Sequence, residues 1–250
     1  MSSLILTFED VYKRVSEFLT GDDIPTDKDL RKVKEITLRG YRKFLSPTNM
    51  RNGKPHVWQF LIEHSVLVTT SGKWIYELPA NFSGKMFYFE HDTSAVYPTL
   101  QYVSVQSILS RRKTNNTSSY PNFYAVRSGR YDKVVGQFYE LLLHDTPNAA
   151  YKLLYSYKID PPKLENATDY FIGGVGSSEA IIECALAVAE LQERHVISVH
   201  NKIAAELVQG LISSDDGSSP DSMGYNLDPS VNVVSPQRYL ETIPENTVYL

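Results

Sequence analysis

The chain has 250 residues, 42% of them hydrophobic and 22% charged, a globular balance that excludes a collagen-like, coiled-coil or wholly disordered protein. Its 25 basic and 29 acidic residues give a net charge of −4, so no overall positive field recruits nucleic acid and any contact with DNA must be local. A single cysteine, Cys184, excludes an internal disulfide framework and a cysteine-rich zinc site, and its Ile-Ile-Glu-Cys-Ala-Leu setting reads as core.

The apolar patch Leu4 to Leu6 is too short for a signal peptide and no basic region precedes it. The longest mostly apolar stretch, Ala180 to Leu191, is broken by Glu183 and Glu190 and falls short of the roughly 20 residues a membrane span needs. The expectation is a soluble protein made in a cytoplasm, with no membrane partner. The 17 tyrosines and 10 phenylalanines suit strand-rich surfaces that pack or meet partners.

The first 50 residues predict a helical hairpin. Thr7 with Asp10, and Thr26 with Asp29, have capping-box spacing, and the aspartates suit the positive end of the helix dipole. Phe8, Val11, Tyr12, Val15, Phe18 and Leu19 follow the helical period, as do Leu30, Val33, Thr37, Tyr41, Phe44 and Leu45. Gly21 to Pro25 is the turn between them, and Ser46-Pro47 ends the second helix.

From residue 55 to about 165 the period changes to 2, the signature of strands joined by short turns. Trp58, Phe60 and Ile62 alternate with Gln59, Leu61 and Glu63, and Val66, Val68 and Thr70 lead through Ser71-Gly72 to Trp74, Tyr76 and Leu78, which reads as a hairpin. Further strands are predicted at Lys85 to Glu90, Leu100 to Ser104, Phe123 to Ser128, Gln137 to His144 and Ala150 to Ile159. His144 to Asn148 reads as a hairpin loop between the last two. Val105 to Arg112 reads as a short helix, and Lys113 to Ser119 as a polar loop.

Residues 172–212 read as one long helix, bent near Glu193-Arg194-His195 and lying on the hairpin, with Ile181, Ala185, Val188, Val196, Val199, Ile203, Leu207 and Leu211 at spacings of three and four. Residues 213–250 read as an extended tail. Asp215, Asp216, Asp221, Asp228, Glu241 and Glu245 stand there against one Arg238, and the prolines exclude a helical period. Such a tail lies along a partner in extended form, gripped by Val231, Val233, Val234, Tyr239, Leu240, Ile243, Val248, Tyr249 and Leu250. The fold expected is α+β: a helical bundle with a large antiparallel β-rich insert and an extended C-terminal tail.

No catalytic, cofactor or metal signature stands out. Gly173 to Ser178 has neither the lysine of a phosphate-binding loop nor a surrounding β-α-β unit, and reads as a turn into a helix. His195 and His200 are five apart, where a helical zinc pair wants four. His56, His64, His91 and His144 show no ligand spacing, and no nucleophile elbow occurs. Charge is uneven, however: Lys28, Arg31, Lys32, Lys34, Arg39, Arg42 and Lys43 stand against Asp27, Asp29 and Glu35, and Arg111-Arg112-Lys113 forms a second cluster. These are candidate DNA-facing or inter-subunit residues.

Several phrases carry a resemblance: Thr26-Asp27 with Tyr41-Arg42-Lys43-Phe44-Leu45, then Trp58-Gln59-Phe60-Leu61, Tyr76-Glu77-Leu78-Pro79 and Pro121 to Arg127. Tyr139 to Pro147, Tyr151 to Leu164, Ile172-Gly173-Gly174 before Glu179 to Glu190, and Met223 to Ser230 continue it. In these phrases and in element order the chain resembles the head-to-tail adaptor (connector, or neck) proteins of tailed bacteriophages. The resemblance implies a non-enzymatic virion structural protein, assembled in the host cytoplasm into a dodecameric ring beneath the portal. It implies a tail docked on the portal protein, a channel passing double-stranded DNA without sequence specificity, and a platform for tail or nozzle proteins. Two other readings stay open on the residues alone: a phage tail-associated β module binding glycan through its tyrosines, Trp58 and Trp74, and a monomeric nucleic-acid-binding protein using the basic clusters.

Overall fold

The computed structural model describes residues 4–23, 25–92, 97–115, 117–133, 136–194 and 199–217. Helix α1 (Phe8–Thr20) opens with the expected box: the Asp10 amide donates to the Thr7 hydroxyl and the Thr7 amide to the Asp10 carboxylate, at 3.2 and 2.8 Å. Gly21, at φ 85°, closes it by donating to the Glu17 carbonyl, a left-handed geometry that glycine adopts without strain. Helix α2 (Asp27–Leu45) begins at Thr26 as expected, yet its box does not form. The Thr26 hydroxyl donates to the Asp29 carboxylate, and the backbone carbonyl of Thr26 takes the amides of Asp29 and Leu30.

After α2 the chain enters the β-rich region. Gln59–Leu61 is one turn of 3-10 helix, where alternation suggested a strand. The cause is Trp58, which stacks against both Phe44 and Phe60, themselves in contact, and donates its indole N–H to the Phe44 carbonyl; Leu61, three residues on, turns into the same core. Strands β1 (Ile62–Val68), β2 (Ile75–Glu77), β3 (Phe82–His91) and β4 (Gln101–Tyr102) precede helix α3 (Val105–Thr114). Strands β5 (Ser118–Ser119), β6 (Phe123–Asp132), β7 (Gly136–His144), β8 (Thr146–Pro147) and β9 (Lys152–Ile159) follow it.

They form a three-stranded sheet ordered β1-β9-β3, a four-stranded sheet ordered β2-β7-β6-β4, and the short pair β5-β8. Phe82, Phe89, Leu153, Tyr155 and Tyr157 from the first sheet meet Tyr76, Leu141 and Leu143 from the second in one core. On the other face of the second sheet Ala125 and Leu142 meet Ile108 of α3, so β7 is buried on both sides.

Two expected hairpins are absent. Gly72 does turn the chain with φ 77°, but β1 pairs with β9 and β2 with β7; likewise β7 and β9 lie in different sheets. The segments after β1 and before β9 cross between sheets together: Thr69 N–H donates to Tyr151 O, its hydroxyl to Ala149 O, and Gly72 N–H to Pro147 O, at 2.8 to 2.9 Å. Alternation and turn chemistry identify strands and corners, but they do not choose partners.

Helix α4 (Ser178–Arg194) packs on α1 and α2 around Phe8, Val11, Val15, Ile36, Phe44, Ile181 and Ala185. A Cβ on Gly40 would lie 2.4 Å from the Ala185 Cα, so α2 and α4 touch backbone to backbone. The expected long helix is two helices. His200, in helix α5 (Val199–Gly217), meets Glu183 at 2.9 Å; one straight helix would hold residues 17 apart about 25 Å from each other. Thus α5 does not continue α4: its first turn meets α4 at Glu183, and it packs into the helical core with Ala204, Val208 and Ile212. It also runs beyond the expected end at 212, because Ile212 is core and the Asp215 carboxylate meets His56 Nε2 at 2.8 Å and accepts the Gln59 amide.

Candidate interaction surfaces

The core contacts of α1, α2 and α4 leave one face of each of the first two helices exposed, and the two faces differ in sign. On α2, Val33, Ile36, Gly40 and Phe44 turn inward, so the helical period puts Lys28, Arg31, Lys32, Arg39, Arg42 and Lys43 outside, with Glu35 as the acid among them. At 1.5 Å per residue the stripe extends about 22 Å. On α1 and the turn after it, Glu9, Asp10, Glu17, Asp22 and Asp23 outnumber Lys13 and Arg14. Lys13 pairs with Glu9 at 3.0 Å and Arg14 with Glu17 at 3.6 Å, leaving the face acidic. This acidic face was missed by sequence reasoning, although the charges are plain once the buried side of α1 is known.

The basic residues are not equivalent. Lys32 forms an ion pair with Glu193 of α4, Lys43 donates to Asn201 of α5, and Lys34 lies over the rings of Phe8 and Tyr12. These three hold the helices together. Lys28, Arg31, Arg39 and Arg42 stay exposed, and Arg42 lines a cavity of about 470 Å³ with Leu38, Tyr41, Lys158 and Lys163. The second cluster has a packing role: Arg111 lies 4.0 Å over Phe123, and Arg112 3.9 Å over Trp74 while donating to the Thr146 hydroxyl. Burial lowers the Arg112 pKa, a cost offset by the ring and the hydroxyl.

Trp58 is 2% exposed and Trp74 is covered by Arg112, so neither serves as an open stacking platform. Cys184 is buried, which pushes its thiol up to about 11, away from nucleophilic reactivity. At Gly173-Gly174 the Ser177 hydroxyl donates to the Gly173 carbonyl, closing the turn before α4 on itself. His56 and His200 are each paired with a carboxylate between elements, and His91 and His144 bond to the backbone carbonyls of Pro121 and Asn115. Among the described residues no cluster of histidine, cysteine, aspartate and glutamate is placed to hold a metal, and no helix is long and apolar enough to cross a membrane. His195 and the tail residues Val231, Val233, Val234, Tyr239, Leu240, Ile243, Val248, Tyr249 and Leu250 lie outside the described residues.

No protein-family model matches this chain, and no curated protein matches it.

Proposed function

We propose that the protein is a head-to-tail adaptor of a tailed bacteriophage virion, a non-enzymatic ring subunit at the neck beneath the portal. The observation that carries this reading is the element order. Two helices lead into a β module that is entered through β1 and left through its neighbour β9, two further helices follow, and an acidic, proline-interrupted segment closes the sequence. That order accompanies the adaptor-like phrases along most of the chain.

The charge pattern supports ring formation. A closed ring needs two unlike surfaces on each subunit, and the basic face of α2 and the acidic face of α1 supply two of opposite sign. The same basic stripe suits passing DNA if it faces the channel, through phosphates and without base readout. In this reading the segment after Gly217 docks on the portal by its apolar side chains, since apolar anchors dominate such interfaces. The β module has a core of its own, which meets the helical core at Ile159, and in this reading it faces tail or nozzle proteins.

The test is co-sedimentation of the purified protein with portal rings, comparing the full chain with one ending at Gly217. The truncation point follows α5, because a cut after Ser214 would remove the Asp215 contacts to His56 and Gln59. The full chain should sediment with the rings and the shortened chain should not, although it keeps its helical and β circular dichroism. A shortened chain that docks as well as the full one would contradict the role given to the tail.

A further inference from the structure

Strand β1 is an open edge of its sheet: β9 lies on one side of it, and among the described residues no strand lies on the other. We propose that this edge takes an added strand, residues 230–235 of a second copy of the chain. The inference rests on the self-assembly in the adaptor reading, for which it names a contact between neighbours, and it leaves Tyr239 to Leu250 for the portal.

The backbone of β1 sets what can cover it. Thr69, just after the strand, donates its amide to the Tyr151 carbonyl, and the register runs unbroken back from the pair Val68–Lys152 to the pair Ile62–Lys158. In an antiparallel ladder the amides and carbonyls of Glu63, Ser65 and Leu67 therefore turn to β9, and those of His64, Val66 and Val68 turn outward. Among the described residues nothing bonds to these outward groups. Donors and acceptors that alternate at the spacing of a strand are matched by another extended backbone.

Proteins normally blunt such an edge with lysine, proline, a bulge or mere shortness. The other edges of the two larger sheets follow that rule. Strand β3 shifts register twice, the first time across Gly84 and Lys85, and β2 and β4 have three and two residues. Strand β1 has seven residues, no bulge, and no lysine, arginine, proline or glycine. The outer face it shares with β9 is apolar as well: Val66 and Val68 are 53% and 54% exposed, with Leu154 opposite Val66.

The sequence itself supplies a strand that fits. Ser230-Val231-Asn232-Val233-Val234-Ser235 is uncharged, carries three β-branched valines, and is bounded by Pro229 and Pro236, which cannot donate to a ladder and so fix its length. At about 3.4 Å per residue it spans roughly 20 Å, against about 24 Å for β1. Laid antiparallel, with Val233 beside Val66 and Val231 beside Val68, it extends the apolar row of the outer face. Asp228, just before it, then falls at the Val68 end, where the exposed Lys152 is paired on β9. A ring of identical subunits offers this segment to every neighbour, which makes a second copy the occupant.

The test is disulfide trapping in the full chain. Val66→Cys and Val233→Cys are made in separate chains, one lengthened by a tag, then mixed and oxidised; Cys184 is buried and stays out of the reaction. A mixed disulfide dimer should form, because facing positions of paired strands hold their Cα atoms about 5.5 Å apart, within disulfide reach. Tyr131→Cys, at a position 71% exposed on β6, should give about tenfold less dimer with Val233→Cys. Adding Val68→Lys to the Val66→Cys chain should cut the yield by a similar factor, since an edge lysine opposes pairing. Val66 and Val68 are exposed, and unaltered melting curves verify that the variants fold. No mixed dimer with Val233→Cys, or with Val231→Cys for a register shifted by one pleat, would overturn the proposal. So would a Val66→Cys chain that bridges to itself in preference, which would pair β1 with β1, or an internal bridge in the doubly substituted chain that persists on dilution. Native mass spectrometry of the unsubstituted protein separates the two readings: rings without the mixed dimer defeat this contact alone, and a strict monomer defeats the ring along with it.

Discussion

At the scale of single residues, the helical unit depends on a few positions where a small change has no room. Gly40 is the sharpest: with Ala185 backbone 2.4 Å from where a Cβ would stand, Gly40→Ala must push α2 from α4. A loss of about 1–3 kcal/mol in urea unfolding is expected, as for overpacked cores, despite the better helix propensity of alanine. His56→Ala should cost about 1–3 kcal/mol by the same measurement, because it takes a hydrogen-bond partner at 2.8 Å from the largely buried Asp215 carboxylate.

Tyr157 gives a pH dependence. Burial and the nearby Glu63 carboxylate push its hydroxyl up to about 12, above the ordinary tyrosine value of about 10. The folded state therefore keeps a proton that the unfolded chain releases, so this contribution to stability is complete below about pH 10 and is lost as pH rises towards 12. Urea midpoints should fall over that window, and Tyr157→Phe should make the fall shallower. Burial raises Tyr41, Tyr76 and Tyr124 in the same direction, so part of the decline remains in that variant.

At the scale of elements, the opposed faces of α1 and α2 carry the prediction for assembly. Reversing Arg31 and Arg39 together to glutamate should weaken ring formation at low salt without changing the fold, since both side chains are exposed. Wild-type rings should loosen as salt rises. Rings of the reversed variant that persist at the same protein concentration, measured by light scattering, would remove the role given to this face.

Much of the element content was legible in the sequence. The Thr7 box, the helical periods of α1 and α2, the stop at Ser46-Pro47 and the position of α3 are all local signals, and local chemistry decides them. What failed was pairing. The Gly72 turn was visible, but nothing within residues 66–78 tells that β1 belongs beside β9. The stripe from Ile181 to Leu211 continues in phase, so periodicity does not mark that α5 departs from the line of α4; contacts such as Glu183 with His200 and Lys43 with Asn201 do. The packing of Arg111 and Arg112 over rings was hidden for the same reason, since Phe123 and Trp74 are distant in sequence.

At the scale of the whole molecule, a helical unit with two charged faces carries a β module with its own core, and the sequence marks the tail as acidic and interrupted by proline. The measurement that tests the ring reading most directly is native mass spectrometry with negative-stain imaging of the purified protein, alone and mixed with portal rings. The account predicts discrete rings, or portal particles that gain about one subunit for each portal chain, in keeping with matched cyclic symmetry. A strict monomer that leaves portal particles unchanged in mass and outline would contradict it.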